Sequence, residues 1–149
     1  MMKKILLAVT ATAMIIPTVF ANDFEKTEDA IKYRQAAYGL ISFNFGEMAA
    51  MLKGEKTFNQ AQFNIRADNV AALSKLPHEA FVEGSDKGDT AALAKIWQDK
   101  SDFDSKMNAF KDNAAALAVA AKSNDKNAIK AAFVDTGKSC KGCHKVYKD

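Results

Sequence analysis

DKNAIKAAFVDTGKSCKGCHKVY, residues 125–147, carries two patterns at once. Ile129, Phe133, Thr136, Cys140, Cys143 and Tyr147 recur at spacings 4-3-4-3-4, the period of one face of an α-helix. Laid over that seam is Cys140-Lys141-Gly142-Cys143-His144, two cysteines two apart followed directly by histidine, which reads as a c-type haem attachment site. The chemistry explains the spacing. Each thiol adds across one vinyl group of the haem, and His144 lies one helical turn from Cys140, so its imidazole can reach the iron from the same side. The ligating form is the neutral ring. Both thiols fall on the inward face of the helix, where a buried cofactor has to be attached.

Two other readings of the motif stand beside this one. A CxxC redox couple wants its thiols at a helix N-terminus after a strand, where the dipole lowers a thiol pKa; here the pair comes late in a helical pattern. A zinc site wants a fourth ligand, and His78 is the only other histidine.

The amino-terminal end agrees with haem. Lys3 and Lys4 precede the apolar run Ile5 to Ile16, and Val19-Phe20-Ala21 has the form of a cleavage site, so residues 1–21 read as a secretory signal. Thioethers are attached outside the bacterial cytoplasm, so the expected location is the periplasm. Cleavage after Ala21 leaves residues 22–149 as one domain with a real core. Loss of Lys3 and Lys4 takes the 21 basic side chains to 19, against 18 acidic ones, so the exported chain is almost neutral. No basic patch argues for nucleic acid, and no second long apolar run argues for a membrane span.

Working back from the last helix, three more amphipathic segments are predicted. The first runs from about Glu28 to Leu52, with Thr27 as N-cap and the seam Ile31, Arg34, Tyr38, Ile41, Phe45, Met48, Leu52. The second runs from about Gln60 to Leu76, capped by Asn59 and ended by Pro77, with Phe63, Ala67, Val70 and Leu73 inward. A long connection follows, with Phe81 tucked in and a short helical piece within Ala91 to Trp97. The third helix runs from about Asp102 to Lys122, capped by Ser101, with the seam Phe103, Met107, Phe110, Ala114, Leu117, Ala121. The fourth is residues 125–147, capped by Asn124. The alanines between Ala114 and Ala121 either leave room for a macrocycle or simply pack closely. The expected fold is all-α, an antiparallel four-helix bundle with a C-terminal c-type haem attachment site.

Arg34 stands where the first seam should be apolar. A guanidinium facing a core is costly unless an anion meets it, and a haem propionate suits the arginine fork. Gln35 beside it can make a similar polar contact. Tyr38, one turn further on, would cover the face of the iron opposite His144.

The chain resembles the cytochrome c′ family, the class II cytochromes c. The resemblance is carried by Glu28-Asp29-Ala30-Ile31-Lys32-Tyr33-Arg34-Gln35, Ser74-Lys75-Leu76-Pro77, Ile96-Trp97 with Phe103 and Phe110-Lys111-Asp112-Asn113, and Ser139 to Tyr147 with its carboxy-terminal CxxCH. It implies one covalent haem c per chain, held by Cys140 and Cys143, with five-coordinate, largely high-spin iron on His144. It implies that Arg34 and Gln35 lie near the propionates and that Tyr38 takes the distal position. It implies a homodimer through the first two helices, for which Leu40, Phe43, Met51, Ala71 and Ala72 are candidates. Met48 and Met51 lie about three turns beyond Tyr38, too far at about 1.5 Å per residue to ligate the iron. The chain departs from the family's habits at Lys148, where arginine is common, and at His78, where an aromatic is common. The expected function is the binding of diatomic gases, nitric oxide and carbon monoxide, or electron transfer with an unknown redox partner, without enzymatic turnover. The alternative is a dedicated low-spin electron-transfer cytochrome of the same class.

Overall fold

A computed structural model describes residues 24–149. The signal peptide and the domain start at Asn22 lie outside the described residues. Four long helices account for the architecture: α1 (Thr27–Lys53), α2 (Gln60–Leu73), α4 (Lys100–Ala121) and α5 (Lys126–Tyr147). A short helix, α3 (Lys95–Gln98), precedes α4, and a 3-10 turn spans Pro77–Ala80. Packing runs α1 on α2, α2 on α4 and α4 on α5. Among the described residues no helix is long and apolar enough to cross a membrane.

The helix ends correct the sequence reading in detail. Thr27 is not the cap of α1; Lys26 holds that place, its carbonyl accepting from the Asp29 and Ala30 amides. Asn59 caps α2 as expected, accepting from the Gln62 amide at 2.9 Å. That helix stops at Leu73 rather than Leu76, because the bonds from Lys75 to Ala72 and from Leu76 to Leu73 tighten the backbone into Pro77. Pro77 then opens the 3-10 turn, where its fixed φ is already suitable. Ser101 lies inside α4, whose cap position is Asp99. Asp125, not Asn124, caps α5; its carboxylate accepts from the Asn127 and Ala128 amides. Asn124 instead turns the chain at φ 60°, a left-handed conformation that asparagine tolerates.

Two apolar clusters fill the bundle. The larger unites Ile41, Met48, Phe63, Val70, Phe110, Leu117 and Ile129 with the small residues Ala67, Ala114 and Ala121. The smaller unites Ile96, Phe103, Met107 and Tyr147. Within the α4 seam all six expected residues are buried. Along α1, Ile31, Arg34, Ile41 and Met48 are buried, whereas Tyr38 and Phe45 are only half-buried, because the space they face is a cavity. Met51, a candidate interface residue, is 6% exposed and belongs to the core.

Candidate haem site

The cavity has a volume of about 610 Å³, within the roughly 300–1,000 Å³ typical of ligand and cofactor sites. Its two long walls are α1 and α5. From α1 come Arg34, Gln35, Tyr38, Ile41, Ser42, Phe45 and Gly46; from α5 come Gly137, Ser139, Cys140, Cys143, His144 and Tyr147, with Lys148 just beyond. The floor is Phe103, Lys106, Met107 and Phe110 of α4, and Phe81, Thr90–Ala92 and Ile96 complete the rim. All six site residues expected from the sequence therefore meet in one space. Phe45 stacks on Phe133 with ring centroids 4.1 Å apart and joins the two walls beside the cavity.

Burial pushes the pKa of both thiols up, and at Cys140 the neighbouring Cys143 adds to the effect. A redox CxxC couple needs the opposite shift. Partial desolvation, reinforced by the Lys148 charge, pushes His144 down and keeps its ring in the neutral, ligating form. His78 is turned elsewhere: its Nε2 lies 2.7 Å from Asp104 Oδ1, and its ring meets the edge of Phe103. It is no partner for the thiols.

Arg34 is 3% exposed. Its Nη1 donates to the Ala80 carbonyl (2.9 Å) and Ser85 Oγ (2.6 Å), and its Nη2 to the Ser85 carbonyl (2.5 Å) and Thr90 Oγ1 (2.8 Å). The guanidinium carbon lies 4.7 Å from the Phe81 ring centroid. One side chain thus ties the whole connection 77–90 to α1. Gln35 helps by donating to the Asp89 carbonyl at 2.7 Å, and Tyr33 by donating to Glu79 at 2.6 Å. All four of Arg34's acceptors are neutral, so its charge is met by hydrogen bonds and not by a carboxylate.

That charge is one of three. Arg34, Lys106 and Lys148 line the cavity, and none of its described lining residues carries a carboxylate. An apolar slot ringed by cations, with two thiols and a neutral imidazole on one wall, fits a macrocycle that bears two propionates. Cys140 and Cys143 would hold it through thioethers, His144 would hold the iron, and Arg34 with the two lysines would face its anionic edge.

Tyr38 faces the cavity from α1, and its hydroxyl donates to Met107 Sδ at 3.6 Å. Burial raises its phenol pKa, and the two thiols add to that. Met107 is the lining residue that sequence reasoning missed. It belongs to the expected seam of α4, and the crossing of α1 and α4 turns it into the cavity. The alanines of α4 do not line the cavity; Ala114, Ala118 and Ala121 are buried in the larger cluster.

The carboxy-terminal rim is stitched to the connection before α3. Leu93 N–H donates to the Tyr147 carbonyl and Asp149 N–H to Ala91, with Ala92 and Lys148 forming an antiparallel bridge. Tyr147 OH donates to Asp102 Oδ2 at 2.6 Å. That bond is the main reason the Asp102 pKa lies below the usual carboxylate range, with Lys106 helping. A depressed carboxylate pKa contributes stability that is present above its unfolded value and lost as pH falls. The Tyr147→Phe variant is therefore expected to unfold at lower denaturant than the parent at pH 7. The gap should narrow below about pH 4, near the unfolded aspartate pKa of about 3.9. Guanidinium titrations at the two pH values check this, and a gap independent of pH would contradict it.

Comparison with known proteins places the whole bundle. The profile of the family described as Cytochrome C′ matches residues 29–148. The cytochrome c′ of Alcaligenes xylosoxydans xylosoxydans is 42% identical over 125 residues, covering 84% of this chain and 97% of that protein. The structure of cytochrome c prime from Shewanella frigidimarina is 74% identical, covers 85% of this chain and 99% of that one, and superposes with a TM-score of 0.84. A variant of the Alcaligenes xylosoxidans protein solved as its nitric oxide complex is 40% identical, covers 85% of this chain and 98% of that one, and superposes at 0.79; another variant was solved with carbon monoxide bound.

Proposed function

This chain belongs to the cytochrome c′ family, and from that premise we propose that it is a periplasmic gas-binding and electron-carrying protein. Its prosthetic group is the covalent haem c of the family. When bound, the haem supplies an iron that can coordinate a small diatomic molecule and change between ferric and ferrous states. Cys140 and Cys143 fix the group to α5, and His144 presents its neutral imidazole from the same wall. Tyr38 shields the opposite side from α1. Its hydroxyl is engaged with Met107 Sδ, which leaves that side crowded yet without a committed ligand from α1. The observation that carries the reading is this pairing of one imidazole on one wall with an aromatic shield on the other. Nitric oxide and carbon monoxide, small and uncharged, suit such a space, in keeping with the complexes formed by the Alcaligenes variants. In this reading the protein binds and carries and is not an enzyme. Leu40, Phe43 and Ile65, each more than half exposed on α1 and α2, support a homodimer through those helices.

The test is the visible spectrum of the ferrous protein before and after addition of either gas. A high-spin spectrum that shifts on addition supports the proposal. Met107 favours a second reading, because its thioether also lines the cavity: a low-spin, six-coordinate electron carrier. A low-spin spectrum unchanged by both gases would establish that reading instead.

For a gas to bind beneath Tyr38, the ring must move and break its contact with Met107. The Tyr38→Leu variant is expected to bind carbon monoxide at least about 10-fold faster, equivalent to about 1.4 kcal/mol of barrier. Stopped-flow mixing checks this; an unchanged rate removes Tyr38 from the distal role.

A further inference from the structure

The near-neutral composition conceals an uneven distribution of charge. Lys126, Lys130, Lys138, Lys141, Lys145 and Lys148 are all exposed on or just beyond α5. At about 100° per residue the five on the helix fall within a sector about 120° wide, to one side of the buried seam, and Lys148 follows in an extended conformation. A basic patch is therefore present that the overall balance did not reveal. Of the eleven described lysines elsewhere, five meet acids: Lys53 pairs with Glu55, Lys56 with Glu47, Lys100 with Asp104, Lys106 with Asp102 and Lys122 with Asp68; the other six are spread over α1, α3, α4 and the connections and form no such row. On α5 only Lys138 does so, with Asp135 at 2.8 Å. None of the ion pairs among the described residues engages Lys130, Lys141, Lys145 or Lys148. Four of the six surround the haem-bearing turn, Cys140 to His144, in sequence.

We propose that this lysine face of α5 is the docking surface for a redox protein with a carboxylate-rich patch, drawn by charge to the helix that holds the haem. The proposal rests on the electron-carrying part of the function above. Exposed, unpaired charges of one sign act chiefly by steering an oppositely charged partner, and salt screens them over roughly 8–10 Å. A protein partner fits better than an anionic membrane. Membrane-surface helices set long apolar or aromatic anchors beside their lysines; the residues between Lys130 and Lys138 in this sector are Val134, 43% exposed, and Gly137.

The probe is flavodoxin, an acidic one-electron donor. Its hydroquinone is mixed by stopped flow with the ferric, haem-loaded protein. The bimolecular rate is expected to fall at least about 10-fold between 20 and 300 mM salt. At 20 mM salt a similar loss is expected for the Lys130→Glu/Lys138→Glu/Lys141→Glu/Lys145→Glu variant. A control reversed at Lys32, Lys53, Lys75 and Lys87 should stay within about twofold of the parent. If the charge-reversed chain fails to load haem, the same four positions changed to Gln serve, with a smaller loss in the same direction. Equal rates for the face variant and the control overturn the docking surface while leaving electron carrying intact. Calorimetric titration with oxidised flavodoxin separates the two further. Binding that depends on the lysine face but yields no reduction upholds docking and sinks the electron-carrying role. Tighter binding to phosphatidylglycerol vesicles than to flavodoxin overturns the choice of a protein partner.

Discussion

A chain carrying Cys140→Ala and Cys143→Ala is expected to emerge colourless and without a cooperative unfolding transition. The reason is the size of the space the haem fills. Without the haem, the apolar walls of a cleft of about 610 Å³ are left facing water, at about 25 cal/mol per Å² of apolar surface uncovered. The bundle gains by collapsing into that space. The helices themselves should persist, because most of their large cluster, including Met48, Phe63, Val70, Leu117 and Ile129, does not line the cavity. The expected signature is retained far-ultraviolet helix signal with lost near-ultraviolet signal and a broad guanidinium transition. A sharp transition at the parent's midpoint would show that the haem is not part of the core.

The Arg34→Met variant is expected to lose about 3–5 kcal/mol of stability while keeping its haem. Methionine fills much of the same volume but donates nothing. The Ala80 and Ser85 carbonyls and the Ser85 and Thr90 hydroxyls would lose their shared donor. A buried polar group left unsatisfied costs about 1–3 kcal/mol, and relaxation of the connection 77–90 towards water limits the total. Arg34→Lys should recover only part of the loss, because one ammonium cannot span four acceptors held in the plane of a guanidinium. Guanidinium unfolding of the ferric protein, followed by haem absorbance, measures the difference. A loss below about 1 kcal/mol would mean that the clamp carries little.

Arg34 also shows how far the primary structure could be read. Its place on an otherwise apolar seam marked it as a buried cation that needed partners, and a propionate was the natural candidate. The charge does line the haem cavity. What the linear pattern could not show is that the same fork gathers four acceptors from residues 80–90, because those lie 46 to 56 positions away and are brought close only when the connection folds back. Met107 was hidden for the same reason. Its seam position on α4 was legible, but its contact with Tyr38 depends on how α1 and α4 cross. The cap errors at Thr27, Ser101 and Asn124 are of another kind: each is a shift of one or two residues decided by the backbone turn leading in, and neither Lys26 nor Asp99 caps through its side chain.

By itself the sequence determined the four amphipathic helices, the placement of both thiols on an inward face with His144 next to them, and therefore the covalent haem. Those features are set by local periodicity and by bond-length chemistry within a single helix, which no tertiary contact can easily overrule. Only the tertiary structure decided what surrounds the group: the Arg34 clamp, the Tyr38–Met107 contact, the absence of carboxylates from the described cavity lining, and the lack of acidic partners for the lysines of α5 other than Lys138. Each of these depends on residues far apart in the chain meeting across the bundle, and such meetings are set by packing, not by spacing.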